Sequence, residues 1–299
     1  MFAAMLKKTQ PTKPDRLKGD IPLLTLPITL LLGFIQGIAE FLPISSSGHL
    51  SLLQNFFNME HEFGFFNVLL HLGTFVSICI VYRQDIVDMI RELFGGIKAI
   101  ATRDDAPIPP ARRLVMMVIV ATLPLFLVLP VKDKLDALNH NTTFISCALL
   151  VTGLVLYFAD KRLGNGRKTE RTATVLDALL VGCAQAIATV PGLSRSGSTI
   201  AAGMLRGYRR DFAVRFSFLM SLPAVLGANL LEFKDVLDAG GIDAAYVPLY
   251  IAGFVVSAVV GYFAIGLVKK LSDEGKFGLF AYYCWAVGGL SLVASLLIK

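Results

Sequence analysis

A sixteen-residue pattern occurs twice in this chain, and each copy interrupts an apolar run with Pro, Gly and Ser. Residues 33–48 laid on 182–197, an offset of 149, agree at Gly33/Gly182, Gln36/Gln185, Ile38/Ile187, Ala39/Ala188, Ser45/Ser194, Ser47/Ser196 and Gly48/Gly197. A break of this kind frees backbone N–H groups, which is tolerated at membrane depth only where protein or a polar cavity satisfies them. Related halves with interrupted apolar segments at corresponding places point to a site at their interface, near the bilayer midplane.

Composition agrees with a membrane setting. The chain is 55% hydrophobic and 17% charged, and its apolar runs leave no room for a separate soluble core. The net charge of +6 falls mostly in loops between those runs, where Lys and Arg mark the cytoplasmic side. It therefore argues against nucleic acid as a partner. Cys79, Cys147, Cys183 and Cys284 sit singly in apolar runs without C-x-x-C spacing, and read as packing residues rather than disulfides or zinc ligands. Residues 1–20 are polar and basic, and no cleavable signal peptide is evident.

These patterns predict an all-α polytopic membrane protein with an inverted-topology repeat. Residues 1–20 form an extension. The first repeat is 21–160, with a re-entrant helical hairpin over about 21–65 and three transmembrane helices. The second is 161–299, with a hairpin over about 173–207 and three more. The expected spans are Phe66–Tyr82, Leu114–Val131, Thr143–Ala159, Phe212–Leu231, Tyr246–Val268 and Phe277–Ile298. Residues 83–113, with Arg83, Arg91, Lys98, Arg112 and Arg113, read as a cytoplasmic loop. Three spans per half is an odd number, so the halves insert with opposite orientation and both termini lie outside. The five basic residues before Ile21 run against that assignment.

The two breaks differ chemically. Glu40 faces Thr189, Ser46 faces Arg195 and His49 faces Ser198 across the offset. Gln36 and Glu40 are one helical turn apart and share a face. A carboxylate at membrane depth is costly unless partnered, and so marks function. Glu40 reads as a base or a metal ligand, with Gln36 orienting water or metal beside it. Ser45, Ser46 and Ser47 exceed what a helix cap needs, and His49 follows Ser46 by three residues, within reach as acid or base. Arg195 offers a planar fork for phosphate oxygens, flanked by Ser194, Ser196, Gly197 and Thr199, and a helix beginning at Thr199 would add N–H groups and a positive dipole end. A plain Glu40–Arg195 ion pair is the bland alternative. His71 and Thr74 read as packing or supporting residues, and Gln185 as a relic of the repeat.

The strings Gln36-x-x-x-Glu40, Phe41-Leu-Pro-Ile-Ser-Ser-Ser-Gly-His49 and Pro191-Gly-Leu-Ser-Arg-Ser-Gly-Ser-Thr199 resemble the undecaprenyl pyrophosphate phosphatase family of the bacitracin-resistance type, over nearly the whole chain from about residue 23. The resemblance implies an inner-membrane hydrolase, opening to the periplasmic side, that converts undecaprenyl pyrophosphate to undecaprenyl phosphate for peptidoglycan synthesis. It also implies a divalent cation, Mg²⁺ or Ca²⁺, with Glu40 and Gln36 as its expected ligands. The expected catalytic set is Glu40, Ser46, His49 and Arg195. The family's first motif begins with Glu or Gln, and Gln36 removes a second acid here. Membrane lipid and a second copy of the chain are candidate partners. The rival class is a secondary transporter or lipid-carrier flippase on the same repeat.

Overall fold

The computed structural model describes residues 24–56, 64–102, 106–162, 166–238 and 244–297; the basic extension expected over 1–20 lies outside them. The described residues form α1 (Leu26–Phe41), α2 (Ser46–Phe56), α3 (Gly64–Val81), α4 (Arg83–Thr102), α5 (Pro110–Thr122), the short α6 (Lys132–Asp136), α7 (Thr142–Arg162), α8 (Val175–Ile187), α9 (Arg195–Leu205), α10 (Arg210–Asp238), α11 (Val247–Asp273) and α12 (Leu279–Leu297). Five helical stretches are long and apolar enough to cross a bilayer, and α3 makes a sixth if it is counted with its bent continuation α4. The chain is an all-α polytopic membrane protein.

α1 and α8 have 16 and 13 residues. At 1.5 Å per residue they reach roughly 24 and 20 Å, short of a hydrocarbon core of about 30 Å. Each stops at its break, and α2 and α9 lead away from it. The expected span at Leu114–Val131 is helical only to Thr122. It continues as 3-10 turns over Leu123–Leu127 and Leu129–Val131, because Pro124 and Pro130 remove backbone donors. Residues 83–113 also differ from expectation. Their first twenty form α4, an amphipathic helix bent 84° from α3.

Small residues bring the hairpins close to the spans. On α1, Gly33 and Gly37 lie against α11, where an added Cβ would stand 2.9 Å from Gly253 O and 2.9 Å from Ser257 O. α8 packs in the same way on α5, with Gly182 against Ala121. α7 pairs with α12, and α3 with α10. The basic loops gather at one end of this bundle. There Arg113 donates to Glu170 O and Ala173 O, Arg215 pairs with Asp85 and Glu170, and Arg210 reaches Asp160 and Ser272 O. Amides and hydroxyls gather at the other end, where Asn55 donates to Asn139 O and Thr143 meets Ser295. α8 begins at the basic end, whereas Leu24 and α1 begin beside Phe66 and Tyr250, at the starts of α3 and α11.

The two breaks interlock through exchanged contacts. A Cβ added at Gly48 would stand 3.1 Å from Gly192 Cα, and one at Gly197 would stand 3.0 Å from Pro43 Cβ. Residues 43 and 192 correspond across the offset of 149, as do 48 and 197. Such reciprocity is what a two-fold relation between the hairpins produces. Gly192 has φ +88° and its Cβ would fall 2.7 Å from Ala148 Cβ and 2.8 Å from Ile145 O. Gly192→Ala is therefore expected to destabilise the protein by about 3 kcal/mol, the left-handed backbone and the overlap adding. Thermal unfolding in detergent measures this, and a loss below about 1 kcal/mol would mean that the break relaxes freely.

Candidate active site

Ser45 and Ser194 build the two breaks in the same way. Ser45 Oγ accepts from Gly48 N at 3.2 Å and Ser194 Oγ from Gly197 N at 3.1 Å. Each hydroxyl also meets the serine two residues on, at 3.4 Å for Ser47 and 3.3 Å for Ser196. Both serines act as helix caps, and Ser45 takes the left-handed backbone, φ +69°, to do so. α2 therefore starts at Ser46, and α9 starts at Arg195 rather than at the expected Thr199. First-turn N–H groups of a helix have no partner within it, so two N-termini with their positive dipole ends are brought together at this seam. The second break is held by α7, where Thr152 Oγ1 donates to Gly192 O and accepts from Ser194 N.

Four side chains converge on one carboxylate. Ser46 Oγ donates to Glu40 Oε2 at 2.7 Å, and Gln36 Nε2 donates to the same oxygen at 3.0 Å. Arg195 Nη2, from the other hairpin, lies 3.4 Å from Glu40 Oε1. His71 Nδ1 stands 3.5 Å from Oε2 and accepts from Gln36 Nε2 at 2.9 Å. An amide nitrogen can only donate, so Nδ1 of His71 is unprotonated in this arrangement. The Glu40 side chain is 10% exposed and that of Arg195 33%, so the carboxylate is enclosed while part of the Arg195 side chain stays accessible. A hydroxyl held on a base, with a cation from a second element beside them, can carry out nucleophilic attack on an electron-poor phosphorus or carbon centre.

Several expected members lie elsewhere. Both nitrogens of His49 are engaged away from Ser46. Nδ1 donates to Ser45 O at 2.8 Å, which leaves Nε2 to accept from Tyr283 OH at 2.9 Å. The i to i+3 spacing places the ring on the same turn as Ser46, but a carbonyl one turn back and the stacked Tyr283 ring draw it aside. Glu40, not His49, is the ionisable side chain that touches Ser46. Thr199 is buried, donates back to Arg195 O and Ser196 O, and meets Ser217 Oγ at 2.5 Å, so its hydroxyl serves α9 and α10. Ser194 is buried as a cap, and Ser196 donates to Leu42 O at 3.4 Å across the seam. Gln185, the counterpart of Gln36, is buried with neither amide atom bonded.

His71 and Tyr283 are the residues that sequence reasoning left out of the site. His71 lies 35 positions from Gln36, and only a helix-face argument on residues 64–81 could have aimed it inward. Nothing in the sequence ties Tyr283 to His49. Tyr283→Phe removes the hydroxyl that fixes Nε2 while keeping the stacked ring. Because His49 does not touch Ser46, the substitution is expected to leave kcat within about threefold of wild type, measured by steady-state turnover; a roughly tenfold loss at unchanged KM would bring the His49 ring back into the chemistry.

Oxygen donors for a divalent cation are few. Among the described residues no three His, Cys, Asp or Glu side chains come together. Glu40 is the carboxylate of the site, and Gln36 holds a buried amide oxygen with no hydrogen-bond partner. One carboxylate with an orphaned amide oxygen fits a Mg²⁺ type of site in which substrate phosphates and water complete the shell.

A family model described as bacitracin resistance protein BacA matches residues 29–290. Among curated relatives, an undecaprenyl-diphosphatase of Alkaliphilus metalliredigens is 39% identical over 271 residues, covering 90% of this chain and 98% of the relative. One from Carboxydothermus hydrogenoformans is 37% identical over 269 residues, 88% and 95% of the two chains. One from Methanosphaera stadtmanae is 36% identical over 279 residues, 90% and 98%.

Proposed function

The chain belongs to the bacitracin resistance protein BacA family, and from that premise we propose that its seam removes the terminal phosphate of undecaprenyl pyrophosphate. The products are undecaprenyl phosphate and inorganic phosphate. The observation that carries the reading is the Ser46–Glu40–Arg195 contact, in which a nucleophile, a base and a cation meet from two hairpins.

Ser46 Oγ attacks the terminal phosphorus while its proton passes to Glu40 Oε2, already 2.7 Å away. The bridging P–O bond breaks, and the lipid monophosphate leaves as an anion that needs no proton. Arg195 and the facing N-termini of α2 and α9 hold the oxygens on which charge builds. Glu40 gives that proton up to solvent. It then takes one from the water that attacks the phosphoserine and returns it to Ser46 Oγ as the serine P–O bond breaks, so one water is consumed and one proton released. Glu40 and Gln36 would hold Mg²⁺ or Ca²⁺, which when bound neutralises pyrophosphate charge.

The two halves are inserted with opposite orientation. α1 starting at the amide-rich end, α8 starting at the basic end, and the exchanged seam contacts support that reading. Basic loops at one end support a cytoplasmic assignment for it; a bacterial inner membrane and a site opening to the periplasmic side complete the proposal, on the family likeness alone.

The test is phosphate release by the purified protein, beside Ser46→Ala. The variant should lose at least about 10³-fold, and acid quench of the wild type during turnover should yield phosphoserine at position 46. Steady turnover by Ser46→Ala would remove the covalent route and leave direct attack on phosphorus by a water that Glu40 activates. Absence of phosphate release from wild type, with lipid flux in vesicles, would transfer the protein to the transporter class.

A further inference from the structure

α4 takes no part in the chemistry above, yet it is firmly built. One side is docked: Glu92 Oε2 accepts from Arg112 Nε at 3.0 Å, Asp85 from Arg215 at 2.5 Å, and Ile86 and Met89 pack on the core. A second side carries Asp88, Arg91 and Lys98 toward water. Between them runs an open apolar stripe of Val87, Ile90, Phe94 and Ile97, of which Phe94 is 66% and Ile97 61% exposed. At 100° per residue these four positions fall within an arc of about 80°.

We propose that α4 lies in the headgroup–acyl boundary of the leaflet at the basic end, its stripe turned into the acyl chains, and that this sets the catalytic seam at mid-depth. Three observations fix the occupant as lipid. The 84° bend lays α4 across the direction of α3, along a membrane surface if α3 crosses it. The helices that α4 packs on, α3 and α5, also expose apolar side chains, at Ile80, Met116 and Ile119. A charged flank beside an apolar one, on the side of the helix left open by the protein, is the pattern of an interfacial helix. The depth follows from spacing. His71 lies eleven residues before the bend at Tyr82, or about 16 Å along a helix, and half of a roughly 30 Å core is about 15 Å. His71 is bonded to Gln36 at 2.9 Å, so the whole cluster shares that level.

The inference rests on the reading of the chain as membrane-inserted and not on its phosphatase activity, so its test uses fluorescence. Phe94→Trp is reconstituted in phosphatidylcholine and phosphatidylglycerol vesicles brominated at defined acyl positions. Wild type, whose one tryptophan is Trp285, gives the background to subtract. The added emission should be quenched at least twofold more by bromine near the headgroup than at the chain end, and aqueous iodide should not reach it. Leu72→Trp, beside His71, should show the opposite order. Iodide quenching of Trp at 94 would overturn the proposal by putting the stripe in water. Insensitivity to both quenchers would overturn it by putting a protein there, and equal depths at 94 and 72 would overturn the depth assignment.

Discussion

Glu40→Gln is expected to lower kcat for phosphate release about 10³-fold, within the range a single general base supplies, without raising KM. The substitution keeps the shape and the hydrogen-bonding positions of the side chain but removes the acceptor for the Ser46 proton. It also removes a negative charge beside a polyanionic substrate, so at saturating divalent cation KM should hold or fall. Arg195→Gln should split the parameters the other way. Loss of the guanidinium that stands 3.4 Å from Glu40 takes away a phosphate ligand, and KM should rise together with a fall in kcat. Steady-state kinetics on purified variants, with unfolding temperatures as a folding check, reads both. Turnover by Glu40→Gln within tenfold of wild type would mean that another group accepts the Ser46 proton.

Asp177→Ala should give the largest loss of stability away from the seam. The carboxylate has no exposed surface, and Lys168 Nζ at 2.7 Å and Arg206 Nε at 2.8 Å both close on it. It also accepts from Thr174 N at 2.9 Å, while Thr174 Oγ1 accepts from Asp177 N, a complete capping box at the start of α8. Removing one partner of a buried pair costs about 3–5 kcal/mol. Lys168 and Arg206 are a third exposed and can rehydrate, so about 3 kcal/mol is expected. The measurement is thermal or chemical unfolding in detergent, and a change under about 1 kcal/mol would show the knot to be ornamental. The first hairpin has Thr25 and Ile28 at the matching positions, and Thr25 makes no side-chain cap bond.

The sequence disclosed what repeats locally. The offset of 149 exposed both breaks, because Ser45 and Ser194 must cap, and the glycines two and three places beyond or before them must let backbones approach. The pairing of Glu40 with Arg195 followed, since an acid and a cation at matching depths in one membrane protein need each other. α4 was written just as plainly, in Ile86, Met89, Ile90, Leu93, Phe94 and Ile97 at three- and four-residue steps. There the charges between those positions drew attention to a loop instead. His71 was legible only as a packing or supporting residue. Tyr283 was not legible, because its contact with His49 comes from helix packing that no short-range pattern encodes. The same holds for the direction of the His49 ring, which is decided by a carbonyl and a tyrosine rather than by its distance from Ser46 along the chain.

The exchanged contacts at the breaks carry an evolutionary corollary. Duplicated segments ordinarily diverge position by position, each copy on its own. Here Gly48 touches Gly192, and Gly197 touches Pro43, so side-chain size at these four places can drift only in concert. Positions 40 and 189, or 46 and 195, make no such exchanged backbone contact, and one hairpin carries acid and hydroxyl there while the other carries hydroxyl and cation. A rigid hinge line shared by twins is what allowed their chemistry to part company.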